Sequence, residues 1–411
     1  MDYFSLSLVA AGTYYVFYWR EELIMIKFRL ICKKAGLFNK KEQTCKVHRV
    51  TRHNWGFECV VGIPFGISVE ILENKIDLFR TAFGAKEVKI KRMSKASMII
   101  MTFVLNHLNE ASYEPISCEG HEIYPGYSYT EHKKINLNKF PHVLVGGATG
   151  TGKSRLMLCI LTNLISNNKN IEIFMIQLRK GDLKVFSRCK QVKYFADNLK
   201  EAKEVLAYLN SKCIERDSEI DRYIFEGIYN IEDYNKRFLK AQMTYIHLCT
   251  DEFAFFIPNK ADSKEEKILK QQCLAYIKNI VLTGRSVGIF LYTSLQRPDK
   301  NSIPADIKAQ LNTRISFKQR EDSSSIAILG DGNATDLQER EAILQLTDEE
   351  IIKVPFIDDK IIKKYISDSI ELGHRYIKLN TIAENQNTEE EINNDGIIDE
   401  EVFKNVDFQG F

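Results

Sequence analysis

"HVLVGGATGTGKSRL", His142–Leu156, is the stretch whose reading decides the fold. "HVLV" has the apolar character of a short buried strand. A glycine-rich turn follows, and "SRLMLCILTNLI" continues as a helix. The turn, Gly147-Ala-Thr-Gly-Thr-Gly152-Lys153-Ser154, fits G-x-x-x-x-G-K-[ST] in full. Glycines there let backbone N–H groups turn inward around phosphate oxygens. The lysine reaches the β and γ phosphates, the hydroxyl of Ser154 ligates Mg²⁺, and the helix N-terminus adds its dipole. The expected nucleotide contacts are therefore Gly147, Ala148, Thr149, Gly150, Thr151, Gly152, Lys153, Ser154 and Arg155.

Outward from the loop, short apolar runs alternate with amphipathic ones. Strands are expected at 171–176, 245–250, 287–294 and 313–318, and helices at 197–220 and 264–283. That alternation, with the phosphate loop, predicts an α/β P-loop domain whose parallel central sheet is covered on both faces. A phosphate loop needs an acid at the end of a neighbouring strand, and "YIHLCTDEF" supplies Asp251 and Glu252. Asp251 would hold Mg²⁺ and Glu252 would polarise the attacking water. The following strand ends "LYTSLQRP", which puts Gln296 at its tip, close to the γ-phosphate. Arg285 and Arg314 flank core strands. Either could stabilise transition-state charge from a neighbouring subunit, or form salt bridges within its own.

The rest of the 411 residues suggests two or three domains. The net charge of +2 carries no message about polyanions, but its distribution does. Residues 20–50 hold nine Lys or Arg against three acids, and 384–411 hold nine acids against Lys404. The expected divisions are a possible membrane anchor at 1–20, a basic juxtamembrane segment at 21–52, a small α+β unit with its linker at 53–135, the ATPase domain at 136–375 and an acidic, disordered tail at 376–411. Tyr3–Trp19 carries no charge and ends in aromatic residues before a basic flank, which fits a single spanning helix. A buried element of a soluble domain is the other reading. Nine scattered cysteines without C-x-x-C spacing read as reduced core thiols.

In combination these segments are specific. "FPHVLVGGATGTGKS", "YIHLCTDEFAFFI", "GRSVGIFLYTSLQRPDKNSIPADIKAQLNTRISFK" and "DSSSIAILG" occur in the order found in the FtsK/SpoIIIE DNA translocases, and the chain resembles that family over about residues 136–345. The upstream "WGFECVVGIPFGISVEILENKIDLFRTAFGAKEVKI" is similar to the region ahead of the motor in coupling proteins of Gram-positive conjugative plasmids and integrative elements. The resemblance implies ATP and Mg²⁺ as ligands and DNA as the moved partner. It also implies a RecA-like P-loop ATPase domain that assembles as a hexameric ring of subunits at the cytoplasmic face of a bacterial membrane. A relaxase complex and a secretion channel would be partners in conjugative transfer. A segregation translocase, or a docking receptor that does not pump DNA, are the alternatives it leaves. Two departures stand out. Gln177 in "MIQLRKGDL" occupies a position usually acidic, and "QEREAIL" replaces a glycine-rich hairpin.

Overall fold

The computed structural model describes residues 21–379 apart from 54, 94–96, 107, 130, 180, 297, 300 and 301. The run Tyr3–Trp19 and the tail beyond Leu379 lie outside the described residues. Within them, no helix is long and apolar enough to cross a membrane. The chain divides into two units.

The smaller unit holds the described residues up to Glu110, together with Ser128–Glu131. It opens with helix α1 over 21–34. Strand β1 (Lys46–His53) and strand β2 (Gly56–Gly62) follow, then helices α2 (Val69–Glu73) and α3 (Ile76–Phe83), then β3 (Glu87–Arg92) and β4 (Met98–Val104). The four strands form an antiparallel sheet in the order β1-β2-β4-β3. Alternation along the strands points Phe57, Cys59, Val61, Ile99, Met101 and Phe103 to one side, where Phe28 and Cys32 of α1 and Phe79 of α3 close the core. The amphipathic stretch expected as one helix near 69–83 is broken at Asn74 and Lys75, where the backbone closes one helix and restarts the next. The basic stretch 21–52 is not a separate segment. Phe28, Ile31, Cys32, Leu37, Cys45, Val47 and Val50 recur there at core spacing, so the charges ride on the outside of a folded helix and strand.

The larger unit begins at Ala111. The turn-rich stretch expected as a linker or edge hairpin is a hairpin, β5 (Glu122–Tyr127) and β6 (His132–Asn136). It extends a ten-stranded sheet. The strands after it are β7 (Val143–Gly146), β8 (Ile171–Ile176), β9 (Val192–Ala196), β10 (Tyr245–Thr250), β11 (Ile289–Leu295), β12 (Thr313–Phe317), β13 (Glu341–Gln345) and β14 (Glu349–Lys353). The helices are α4 (Lys153–Asn167), α5 (Leu199–Asp221), α6 (Ile231–Arg237), α7 (Lys264–Val287), α8 (Ala305–Gln310), α9 (Asp322–Leu329) and α10 (Asp359–Ile366).

The sheet order is β6-β5-β14-β13-β12-β7-β11-β10-β8-β9. The six strands from β12 to β9 are mutually parallel, and the other four join antiparallel. The central strands are apolar on both sides, as two covered faces require. α4 and α10 pack on one face through Leu156, Ile160, Leu164, Ile362 and Ile366. α5 and α7 pack on the other through Val205, Leu209, Cys273, Ile277 and Ile280. All nine cysteines are buried and unbridged. Order extends past residue 376: Tyr376 donates to the Ser187 carbonyl at 3.2 Å, and Ile377 and Leu379 pack on the second core.

Candidate functional site

The loop leaves the C-terminal end of β7, a central strand hydrogen-bonded to β11 and β12. It then enters α4 directly at Lys153. Two of its glycines do conformational work. Gly150 has φ +83°, and Gly152 has φ +126° with the Phe317 ring 2.8 Å from where a Cβ would stand. A side chain at Gly152 would be both strained and blocked. Thr151 ties the turn to itself, its hydroxyl donating to the Ala148 carbonyl at 2.7 Å. The Ala148 N–H donates to the Lys318 carbonyl at 3.2 Å, which anchors the loop to the end of β12.

Lys153 is buried, and its ammonium donates to the carbonyls of Gly147 and Ala148 inside the turn. Burial pulls its pKa down, while the charges of Glu252 and Asp251 oppose that. The three groups thus share one electrostatic site at the top of the sheet.

Asp251 and Glu252 follow β10. The sequence reading put them on a strand neighbouring the loop, but β11 runs between β7 and β10. The tip of β11 therefore stands between phosphate loop and acids. Its backbone uses that place: the Gln296 N–H donates to both carboxylate oxygens of Glu252, at 3.1 and 3.3 Å. Ser294 donates to the Asp251 carbonyl. Gln177, at the end of β8, donates its side-chain amide to the Asp251 carboxylate. Gly181 leaves room for that amide, since a Cβ there would lie 2.1 Å from Gln177 Nε2. The glutamine that departs from the family pattern thus replaces an acid by a neutral donor, and it favours the ionised form of Asp251.

Burial raises both carboxyl pKa values. Asp251 goes up, with Gln177 and Lys153 opposing, and Glu252 is pushed up to about 7. A carboxylate whose proton affinity lies near neutrality is suited to accept a proton from water. Since kcat/KM reports groups of the free enzyme, its acid limb should fall near pH 7 rather than near the ordinary 4.5 of a glutamate. Rates of ATP turnover at subsaturating ATP between pH 5 and 9 check this, and a limb below pH 5.5 counts against Glu252 as the base.

A cavity of about 460 Å³ runs from the loop past Lys153, Ser154 and Arg155 to Gln296, Glu339, Arg340, Phe356 and Ile357. A second, of about 340 Å³, joins Ala148, Thr149 and Gln296 to Gln319, Arg320 and Ser324. Gln296 lies on both. The two arginines singled out in the sequence are elsewhere. Arg285, in the last turn of α7, donates to the Asn138 carbonyl at 2.9 Å. Arg314 donates to the carbonyls of Leu311, Ile328 and Lys308 at 3.2–3.4 Å. Arg285 precedes β11 and Arg314 is the second residue of β12, so both lie at the end of the parallel strands opposite the loop. Sequence reasoning missed Glu339, Arg340, Phe356 and Ile357. They lie some two hundred residues from the loop, and only the antiparallel extension β13–β14 brings them back to it.

Comparison with known proteins agrees with this geometry. Residues 127–274 match the FtsK/SpoIIIE family model. DNA translocase FtsK of Halalkalibacterium halodurans is 26% identical over 338 residues, covering 76% of this chain and 41% of that protein. DNA translocase SpoIIIE of Bacillus subtilis is 28% identical over 221 residues, covering 51% and 27%. The chain spans well under half the length of these curated relatives. Among solved structures, the pCW3 conjugation coupling protein TcpA, in a monomer form with ATPγS, has a TM-score of 0.59 at 21% identity and covers 84% of this chain and 98% of that one. ATPases 2 and 3 of EssC from Geobacillus thermodenitrificans have a TM-score of 0.52 at 15% identity, covering 64% and 51%. The fold of the larger unit is that of P-loop ATPases.

Proposed function

We propose that this protein is an ATP-driven DNA translocase that serves as a coupling protein for conjugative DNA transfer. The observation that carries the motor reading is the convergence of Lys153, Asp251, Glu252 and the Gln296 N–H at the C-terminal ends of β7, β10 and β11. ATP would lie with its phosphates in the loop. Mg²⁺ would be held by the Ser154 hydroxyl and the Asp251 carboxylate, an all-oxygen donor set of the kind that ion takes. Bound there, it would supply charge neutralisation at the β and γ phosphates. Lys153 would trade its loop carbonyls for phosphate oxygens. Glu252 would take the proton of the attacking water. Because its carboxylate rests on the Gln296 N–H, any movement of the segment after β11 changes its position. That segment leads into α8, where Lys308 offers a contact for a phosphate backbone. Backbone contacts suit a motor that must act on any sequence.

The relatives named as DNA translocases support DNA as the partner, and ring assembly with one subunit's arginine completing the next subunit's site follows from the same reading. Either Arg285 or Arg314 would serve, once released from its own carbonyls. The conjugative role, with a relaxase complex and a secretion channel as partners, rests on the smaller unit's strand-turn-helix pattern and on the likeness in fold to a conjugation coupling protein. A place at the cytoplasmic face of the membrane rests on the charge-free run Tyr3–Trp19 and its basic flank. Turnover by the purified full-length protein, measured with and without linear duplex DNA, tests the motor. DNA should raise it several-fold. Turnover indifferent to DNA at low and moderate salt would reduce the protein to a nucleotide-dependent docking receptor.

A further inference from the structure

The phosphate loop accounts for only one end of the 460 Å³ cavity. Its far wall is an aromatic ring that stands half in solvent while its backbone is fixed. Phe356 is 50% exposed, the mark of a large apolar side chain with no packing partner on one side. Yet its N–H donates to the Ala111 carbonyl at 2.7 Å, and its carbonyl accepts from Tyr113 at 2.8 Å. The ring is therefore held at a set place rather than on a free loop.

The surroundings are those of a flat, electron-rich ligand. The Arg340 guanidinium stands 5.6 Å from the Phe356 ring centroid. Arg340 is itself locked to the loop: its N–H donates to the Thr151 carbonyl at 3.2 Å and its carbonyl accepts from Val354 at 2.9 Å. It holds a left-handed conformation, φ +60°, which a non-glycine residue adopts at a cost. Arg155, in the first turn of α4, donates to the Ile357 carbonyl at 3.0 Å. Two arginines thus fasten the wall carrying Phe356 to the loop that takes the phosphates.

We infer that Phe356, flanked by Arg340 and backed by Ile357, is the platform on which the nucleobase of the bound triphosphate stacks. The proposal rests on the reading of the loop as the phosphate site and adds to it the residues that grip the other end of the ligand. Aromatic side chains stack on any base through its π-face, and guanidinium planes do the same. The replacement of a glycine-rich hairpin by "QEREAIL" is what puts a long cationic side chain at this wall. Glu339, exposed at the rim, is placed to face the base edge.

The test compares two ligands in the full-length protein, ATP and inorganic tripolyphosphate. Both offer phosphates to the loop, and only ATP has a base. Phe356→Ala should weaken ATP binding by about tenfold or more, the usual reach of one stacking contact, and leave tripolyphosphate affinity unchanged. Phe356→Trp should restore ATP affinity, which guards against loss through misfolding. Equal weakening for both ligands, or none for ATP, would overturn the platform while leaving the loop assignment intact. A wild-type protein that binds neither ligand would instead overturn the loop assignment, and the platform with it.

Discussion

Lys153→Ala should leave a folded protein that scarcely turns over ATP. The ammonium lies inside the turn of the loop, held by the carbonyls of Gly147 and Ala148. Its charge is the partner of both Asp251 and Glu252. Removing one preorganised donor from a water-poor site of this kind costs about a hundred- to a thousandfold in turnover. Folding should not suffer in proportion, because the ammonium is a partly desolvated charge that burial already disfavours. The expected result is a melting temperature near that of the wild type with phosphate release at the assay floor, with or without DNA. Turnover within tenfold of wild type would mean that the loop is not the catalytic site.

How far the sequence reaches is seen at particular residues. The strand pattern of "IEIFMI" and "YIHLCT" predicts β8 and β10 to the residue, because a strand buried on both faces is a bare apolar run bounded by polar turns. The loop and the acids were legible for another reason: their spacing is fixed by the phosphates they serve. What could not be read is the lateral order of strands. "YIHLCTDEF" says that acids end a strand, but not that β11 is interposed, and so not that the Gln296 backbone, rather than its side chain alone, meets Glu252. Phe356 was hidden for a like reason. In "KVPFIDD" nothing in the periodicity distinguishes a platform from a loop hydrophobe, since its partner Arg340 is joined to it only through β13 and β14. The basic stretch 21–52 misled because charge was more conspicuous than the spacing of Phe28, Ile31, Val47 and Val50, which decides burial.

Glu252→Gln should separate chemistry from stability in opposite directions. The amide keeps the shape and can still pack beside the Gln296 N–H, but it cannot accept a proton from water. General-base catalysis is worth about a hundred- to ten-thousandfold, so turnover should fall by that range while ATP still binds. The same change should stabilise the protein, and only at higher pH. Glu252 binds its proton more tightly in the folded state, about 7 against an ordinary 4.5. Between those values the native protein holds more protons than the unfolded chain, so its stability declines as pH rises from 4.5 through 7. Below 4.5 both states are protonated and the group costs nothing. Above 7 the carboxylate is charged in both states, and the full penalty applies, on the order of 3 kcal/mol. The glutamine variant carries no such penalty. Urea unfolding of both proteins should therefore give a stability gap that is small at pH 4.5 and widens to a plateau by pH 8. A gap that stays flat across that range, or one that narrows, would show that Glu252 ionises as an ordinary glutamate and that its burial does not tune it as a base.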